Sequence, residues 1–277
     1  MPAPGIEPAL ARAPAAAPLI TLTTDYGLQD PYVGILKSRV VQRAPAIPLI
    51  DLTHEIRRFQ PEEAGYWLYC CYPQLPAGTV HVAVVDPGVG SAREILVLSA
   101  ASQLFVAPDN GLLGLIAQHL PEALAWRVET RALAALGLSA ESATFHGRDI
   151  MAPLGAELAM RRVSPEELGP RQAPLPGSLT PPRELPDGSL EGCVAVIDHY
   201  GNVLTTVPAR QMAGRRQVRL APWAPALPWI GTYEEGTAGQ CAVLINSAGM
   251  LEVAVRQASA AAALNVAPGQ RVYVSER

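Results

Sequence analysis

The chain is written as short apolar runs, each closed by a turn rich in Gly, Pro or charged residues. Leu19 to Thr24 is a β-type run that stops at Asp25. Asp30-Pro31 reads as a helix N-cap followed by proline in the first helical position, opening a helix that runs to about Arg43 and is stopped by Pro45. Ile47 to Leu52 is the next strand. Gln60-Pro61-Glu62-Glu63 opens a second helix, with its acidic residues where the helix dipole favours them, and turns Trp67, Leu68 and Cys71 toward a core. Thr79 to Val85 is apolar apart from His81, the pattern of a strand buried on both faces in a parallel sheet. Glu94 to Ser99 and Leu104 to Ala107 are two more strands. Asn110-Gly111 marks a turn, Leu112 to His119 a short helix, and Asp149 to Arg161 a helix with Pro153 near its start. Strands alternating with helices through residue 165 predict an α/β domain with a mostly parallel sheet.

The pattern then changes. Six prolines between Pro170 and Pro186 mark a linker. From Gly192 onward the runs are short and β-like: Cys193 to Ile197, Val203 to Val207, Gln217 to Leu220, Cys241 to Asn246, Leu251 to Val255 and Arg271 to Val274. Turn signals separate them, so a smaller all-β barrel or sandwich is expected. The domain map is a disordered Ala/Pro leader at 1–18, an α/β domain at 19–168, a Pro-rich linker at 169–190 and a β domain at 191–277.

Composition narrows the classes. With 277 residues, 49% of them hydrophobic and 17% charged, a sizeable core is available. A net charge of −4 supplies no basic field and argues against nucleic acid as a partner. No run reaches the ~18 apolar residues of a spanning helix, and the leader lacks the basic start and apolar centre of a signal peptide. Cys70, Cys71, Cys193 and Cys241 form neither a CxxC pair nor a disulfide framework, which reads as buried thiols in a reducing cytoplasm. Of the 21 basic residues only Lys37 is lysine, which reads as composition bias.

Three strand-end turns concentrate the candidate chemistry: Thr24-Asp25-Tyr26-Gly27, Asp86-Pro87-Gly88-Val89-Gly90 with Arg93 beyond it, and Phe145-His146-Gly147-Arg148-Asp149. A parallel sheet gathers such turns along one edge, where these folds bind small molecules. Asp25 can accept both hydroxyls of a ribose, or cap a turn. Arg93 can lower the pKa of Asp86 and orient it, or form a structural ion pair. His146 is raised above an ordinary core histidine by Gly147 and the helix that follows. Arg148 and Asp149 have a supporting role. In the β domain, Asp198-His199-Tyr200-Gly201-Asn202 offers a carboxylate, an aromatic face and an amide, suited to an ammonium and a stacked base. Asn246-Ser247-Ala248-Gly249 is a second polar turn. Asp25, Asp86, Asp198 and His146 can also be counted as metal ligands, but without the tight spacing of such sites.

In order along the chain, Thr-Thr-Asp-Tyr-Gly, Ile-Asp-Leu-Thr-His, Val-Asp-Pro-Gly-Val-Gly, Ala-Pro-Asp-Asn-Gly-Leu-Leu, Thr-Phe-His-Gly-Arg-Asp and Ile-Asp-His-Tyr-Gly-Asn resemble the S-adenosyl-L-methionine hydroxide adenosyltransferase family, relatives of the fluorinases and chlorinases. The resemblance implies an N-terminal α/β domain, a C-terminal barrel-like domain and a homotrimer, with sites between the N-terminal domain of one copy and the C-terminal domain of the next. It implies a catalytic set of Asp86, Arg93 and His146. On that set, Arg93 and His146 are expected to hold and polarise a water or hydroxide, and Asp86 to orient Arg93 and stand as a candidate proton acceptor, with the formal base left open. It matches Asp25 to the ribose hydroxyls and Phe59 to the nucleoside wall. Asp198 and Ser247 fall at the methionine amine and carboxylate, and Tyr200, Asn202 and Tyr233 around adenine. Ala248 stands where the fluorinase pattern has an arginine. The implied reaction is S-adenosyl-L-methionine plus water giving adenosine and L-methionine, with no cofactor and no metal. The rival readings are a halide-using relative, a nucleoside-binding protein without catalysis, and a metal-dependent hydrolase.

Overall fold

A computed structural model describes residues 18–179, 181–212, 214–220 and 225–276. The leader expected at 1–18 lies outside the described residues except for Pro18. The first half builds a six-stranded sheet from β1 (Ile20–Thr24), β2 (Leu49–Thr53), β3 (Val80–Val84), β4 (Ile95–Ala100), β5 (Gln103–Pro108) and β6 (Leu124–Arg127), in the order β2-β1-β3-β5-β4-β6. The pairs β1/β2, β1/β3 and β3/β5 are parallel, while β4 runs antiparallel to both β5 and β6. The fold is mixed α/β with a mostly parallel sheet, as the alternation of elements predicts.

Both sheet faces are buried, which is why β3, apart from His81, and β4, up to Ser99, read as apolar runs. One face, with Ile20, Leu22, Val80, Val82 and Val84, packs on α1 (Tyr32–Arg43) and a helix, α5 (Ala152–Ala159), described below. The other, with Ala83, Leu96 and Leu98, packs on α2 (Pro61–Cys71) and α3 (Gly114–His119). Two short helices, α4 (Thr130–Ala135) and α6 (Pro165–Leu168), flank the β6 edge. At α1 the helix starts one residue later than the sequence predicts. Pro31 is the N-cap and makes no side-chain cap bond, so Asp30 does not cap.

Inside this sheet His81 is fully buried. Its Nε2–H donates to Gln103 Oε1 at 2.7 Å, its Nδ1 accepts from Thr21 Oγ1 at 2.8 Å, and Gln103 Nε2 donates to the carbonyls of Tyr72 and Leu75. The network is closed only while the ring is neutral. Burial pushes the His81 pKa down to about 4. The unfolded chain therefore binds the proton first, and the stability this group contributes above about pH 6.5 is lost as pH falls toward about 4, up to roughly 3 kcal/mol. Urea unfolding at pH 7 and pH 4.5 should show a larger acid loss for the wild type than for His81→Gln. Equal losses would reject the assignment.

The second half is an antiparallel sheet ordered β10-β13-β8-β9-β12-β11, made of β8 (Leu190–Ile197), β9 (Val203–Pro208), β10 (Gln217–Leu220), β11 (Cys241–Ile245), β12 (Met250–Val255) and β13 (Arg271–Ser275), with β7 (Arg183–Glu184) paired to β8. The β10 and β11 edges are bridged by the segment 227–230. Leu227 N donates to Val218 O at 3.0 Å, and Ile230 N to Val243 O at 2.9 Å. The sheet is thus a nearly closed barrel around Val194, Val203, Val243, Val253 and Val272, with α7 (Ala260–Leu264) against it.

The two halves share a core. Cys193, Ala195, Leu204 and Met250 of the barrel join the cluster under α2 and α3, and Tyr66 Oη donates to Thr205 O at 3.0 Å. The proline-rich segment between them is pinned as well. Buried Asp109 accepts from Gln172 Nε2 at 2.9 Å and from Leu175 N at 2.8 Å, so the Ala-Pro-Asp-Asn-Gly motif is structural here.

Candidate active site

In the order β2-β1-β3, the chain leaves β1 to one side and returns on the other. The crevice beyond the carboxyl ends of β1 and β3 is therefore the switch point where α/β sheets bind ligands. Asp25 follows the last residue of β1, and Asp86 lies two residues beyond β3. A cleft of about 370 Å³ opens there, lined by Asp25, Phe59, Asp86 and His146 among others, with Tyr26, Tyr32 and Phe145 as an aromatic wall. Those three rings meet edge to face at 5.7–6.2 Å.

Asp86, Arg93 and His146 converge. Arg93 Nε donates to Asp86 Oδ1 at 2.9 Å and Nη2 to Oδ2 at 2.5 Å, a two-pronged pair whose side chains are only 9% and 5% exposed. The same Nη2 lies 2.9 Å from His146 Nδ1. A guanidinium can only donate, so Nδ1 is the acceptor and the neutral ring carries its proton on Nε2. Burial, then the Arg93 charge, push the His146 pKa below the usual value, which preserves that tautomer. Arg93 is not part of the cleft wall; it stands behind Asp86 and His146 and holds both.

His146 is aimed by its neighbours. It precedes one wide helical turn, Gly147–Met151, that runs into α5, so the expected helix start at Asp149 falls inside this turn. Gly147 is required: a Cβ there would sit 2.4 Å from Tyr26 Oη and 3.1 Å from Val84 Cγ1. Asp149 is buried, accepts from Ser142 N at 2.9 Å and from Arg148 Nε at 2.6 Å, and fixes the loop that leads to His146. Asp25 accepts from Phe59 N at 3.1 Å, and burial pushes its pKa up. Phe59 takes a left-handed φ of 65° with its ring 66% exposed beside the cleft, a costly backbone state of the kind stored at functional sites.

The remaining candidates lie elsewhere. A second pocket of about 670 Å³ on the barrel is lined by Asp198, Tyr200, Asn202, Tyr233, Val255, Gln257, Ala258 and Ser259. Asp198 spends most of its capacity on its own turn, with Oδ1 accepting from Tyr200 N and Asn202 N and Oδ2 from Asn202 Nδ2. Gly201, at φ 83°, lets that turn lie on Ser259, whose Oγ would be 2.3 Å from a Cβ. Ser247 is exposed and does not line this pocket. Its turn meets the Pro208 end of β9, where Ala209 N bonds Gly249 O, while the Asp198 turn meets the Val203 end. Asp25, Asp86 and His146 are thus together in one pocket, with Asp198 in another.

Sequence reasoning missed Glu252. It is buried on β12 behind Tyr233, whose Oη donates to Glu252 Oε1 at 2.8 Å, and burial pushes its pKa up. The available signal was a glutamate inside the apolar run Met250 to Val255.

Residues 20–169 match the model of the SAM hydroxide adenosyltransferase N-terminal domain, and residues 192–273 that of its C-terminal domain. The chain belongs to the SAM hydroxide adenosyltransferase family. Within that family it is 38% identical over 253 residues to the (R)-S-adenosyl-L-methionine hydrolase of Thermus thermophilus, covering 90% of this chain and 96% of that one. The enzyme of the same name from Salinispora arenicola is 39% identical over 266 residues, 94% of this chain and 99% of the other. A fluorinase from an Actinoplanes species is more distant, 25% identical over 301 residues, with 94% and 98% covered. Among solved structures, an uncharacterized conserved protein from Thermotoga maritima superposes with a TM-score of 0.80 at 32% identity, covering 93% of this chain and all of that one. Among the described residues no helix is long and apolar enough to cross a membrane.

Proposed function

We propose that this family member is an S-adenosyl-L-methionine hydrolase, giving adenosine and L-methionine. Water attacks ribose C5′; the C5′–O bond forms, the C5′–S bond breaks with its electron pair staying on sulfur, and the water proton passes to Asp86 and then to solvent. The leaving group is a neutral thioether, so no acid is needed to expel it and the reading calls for no cofactor. The observation that carries the reading is the Arg93 side chain bridging Asp86 and His146. It leaves a carboxylate and an Nε2–H donor on one cleft wall, where a water would be polarised and held in line with the C5′–S bond. Asp25, at the carboxyl end of the neighbouring strand β1, would take the ribose hydroxyls, and Phe59 with the aromatic wall the nucleoside. The relatives' names specify the (R) form at sulfonium, and we extend that preference to this chain.

Asp86 also favours water over halide. A carboxylate on the cleft wall repels an arriving anion, whereas water arrives neutral and is deprotonated in place. Purified protein incubated with S-adenosyl-L-methionine in isotopically heavy water should place the label in adenosine O5′, read by mass spectrometry. Unlabelled adenosine would overturn the mechanism, and 5′-halo-5′-deoxyadenosine formed on adding chloride or fluoride would favour the halogenase reading.

The barrel pocket would supply the other half of the site, with Asp198 toward the methionine amine and Tyr200, Asn202 and Tyr233 around adenine. Tyr200 is 78% exposed and Phe59 66%, so each half-site carries aromatic surface that a second copy could cover. Ser247, on the turn at the Pro208 end of β9, lies outside this pocket and is left out of the proposed half-site. A homotrimer that closes the cleft of one copy with the barrel of the next is the arrangement we propose. Cys70, Cys71 and Cys241 are free thiols, which fits a protein of the reducing cytoplasm.

A further inference from the structure

The Ile-Asp-Leu-Thr-His motif, residues 50–54, contributes nothing to the wall of the substrate cleft, yet two of its side chains, Asp51 and His54, connect to the end of β1 that leads into it. Lys37, the lone lysine of the chain, donates from α1 to Asp51 Oδ2 at 2.5 Å. Asp51 Oδ1 lies 3.2 Å from Nε2 of His54, a contact outside hydrogen-bonding angles. His54 is buried, and its Nδ1 lies 2.8 Å from Thr24 Oγ1. Thr24 Oγ1 in turn accepts from Tyr26 N at 3.2 Å. The backbone of His54 adds a second tie, accepting from Gly27 N at 2.8 Å. Asp25 sits between the two residues so held.

We propose that Lys37, Asp51, His54 and Thr24 form a positioning relay that fixes the Asp25–Gly27 turn and thereby aims the Asp25 carboxylate into the cleft. The proton order is settled by chemistry. A carboxylate oxygen faces Nε2, so Nε2 carries the ring proton and Nδ1 accepts from the Thr24 hydroxyl. That leaves the Thr24 oxygen lone pairs for Tyr26 N–H. The donors then run from Tyr26 N–H to Thr24 and from the Thr24 hydroxyl to His54 Nδ1, His54 Nε2 faces Asp51 Oδ1, and Lys37 donates to Asp51 from the other end, so the Asp51 carboxylate is the acceptor on which both ends converge. The order resembles a hydrolytic triad, but Thr24 is wholly buried and touches no cleft, so its hydroxyl orients and does not react. For Asp51, burial raises the pKa, and the hydrogen bond from Lys37 and the adjacent His54 ring more than offset it, which keeps the carboxylate charged as the relay requires.

This assignment rests on the hydrolase reading only in giving Asp25 the ribose. Thr24→Val removes the hydroxyl and keeps the shape, while Thr24→Ser keeps the hydroxyl. Thr24→Val and His54→Phe should each speed amide exchange at Tyr26 and Gly27 by about tenfold and weaken adenosine binding by about tenfold, with kcat changed by less than about twofold and the loss appearing in KM. Thr24→Ser should match the wild type, and the Thr24→Val/His54→Phe pair should be no worse than either alone. Lys37→Met, at the exposed end, should give a smaller loss in the same direction and decides the case if the buried variants fail to fold. Unchanged exchange at Tyr26 and Gly27 in Thr24→Val, or equal losses in Thr24→Ser and Thr24→Val, would overturn the relay. Wild-type protein that binds no adenosine would overturn the hydrolase reading, and the exchange rates would still decide the relay.

Discussion

Arg93→Ala is expected to lower kcat by about a thousandfold while moving KM by less than about threefold. The substitution does three things at once. It leaves the Asp86 carboxylate, 5% exposed, without its two-pronged partner. It removes the donor that fixes the His146 tautomer at 2.9 Å. It also lets the ring turn, so that Nε2–H no longer points at one place. None of these groups holds the nucleoside in the proposed site, so binding is largely spared. Arg93→Lys should rescue little, because a single ammonium cannot span both Asp86 oxygens and Nδ1. Asp86→Ala and His146→Ala should each cost about a hundredfold or more in kcat. Steady-state kinetics on the three alanine variants checks this, and near-normal turnover in all of them would reject the assignment.

Mixing two dead variants is expected to revive activity. His146→Ala breaks the cleft half and Asp198→Ala the barrel half. If each site takes its cleft from one copy and its barrel from the next, every mixed trimer joins two intact halves at one of its three sites, so mixed trimers should show about a third of wild-type turnover. Co-expression with two affinity tags, followed by an assay of the doubly tagged species, gives the measurement. A site complete within one chain predicts no recovery. Light scattering on the same sample reports whether three copies assemble.

Much of this could be read from residues alone, for identifiable reasons. The run Thr79 to Val85 lies within one residue of β3 because a strand buried on both faces has almost no polar position, here only His81, to blur it. Leu124–Arg127 and Thr130–Ala135 escaped notice because four and six residues are too few for a period to show. The wide turn at Gly147 was hidden because helix signals carry no mark of how the backbone hydrogen bonds are spaced. The separations of 53 residues between Arg93 and His146 and of 34 between Asp25 and Phe59 make their contacts a product of strand order. Order was visible only through the resemblance. The place of Arg93 behind the cleft wall, the Tyr233–Glu252 bond and the distance of the Ser247 turn from the Asp198 turn depend on which way side chains and hairpins point, and no spacing rule conveys that.

The common core under α2 and the clasp of Asp109 on the proline segment have one more consequence. A chain welded at its middle has no hinge with which to bring its own two pockets together. If the cleft and the barrel pocket are the two halves of one site, as proposed, it behaves as a ruler of fixed length, and the second half must come from another copy. Turnover per molecule should then depend on how crowded the solution is, vanishing on extreme dilution and returning on concentration.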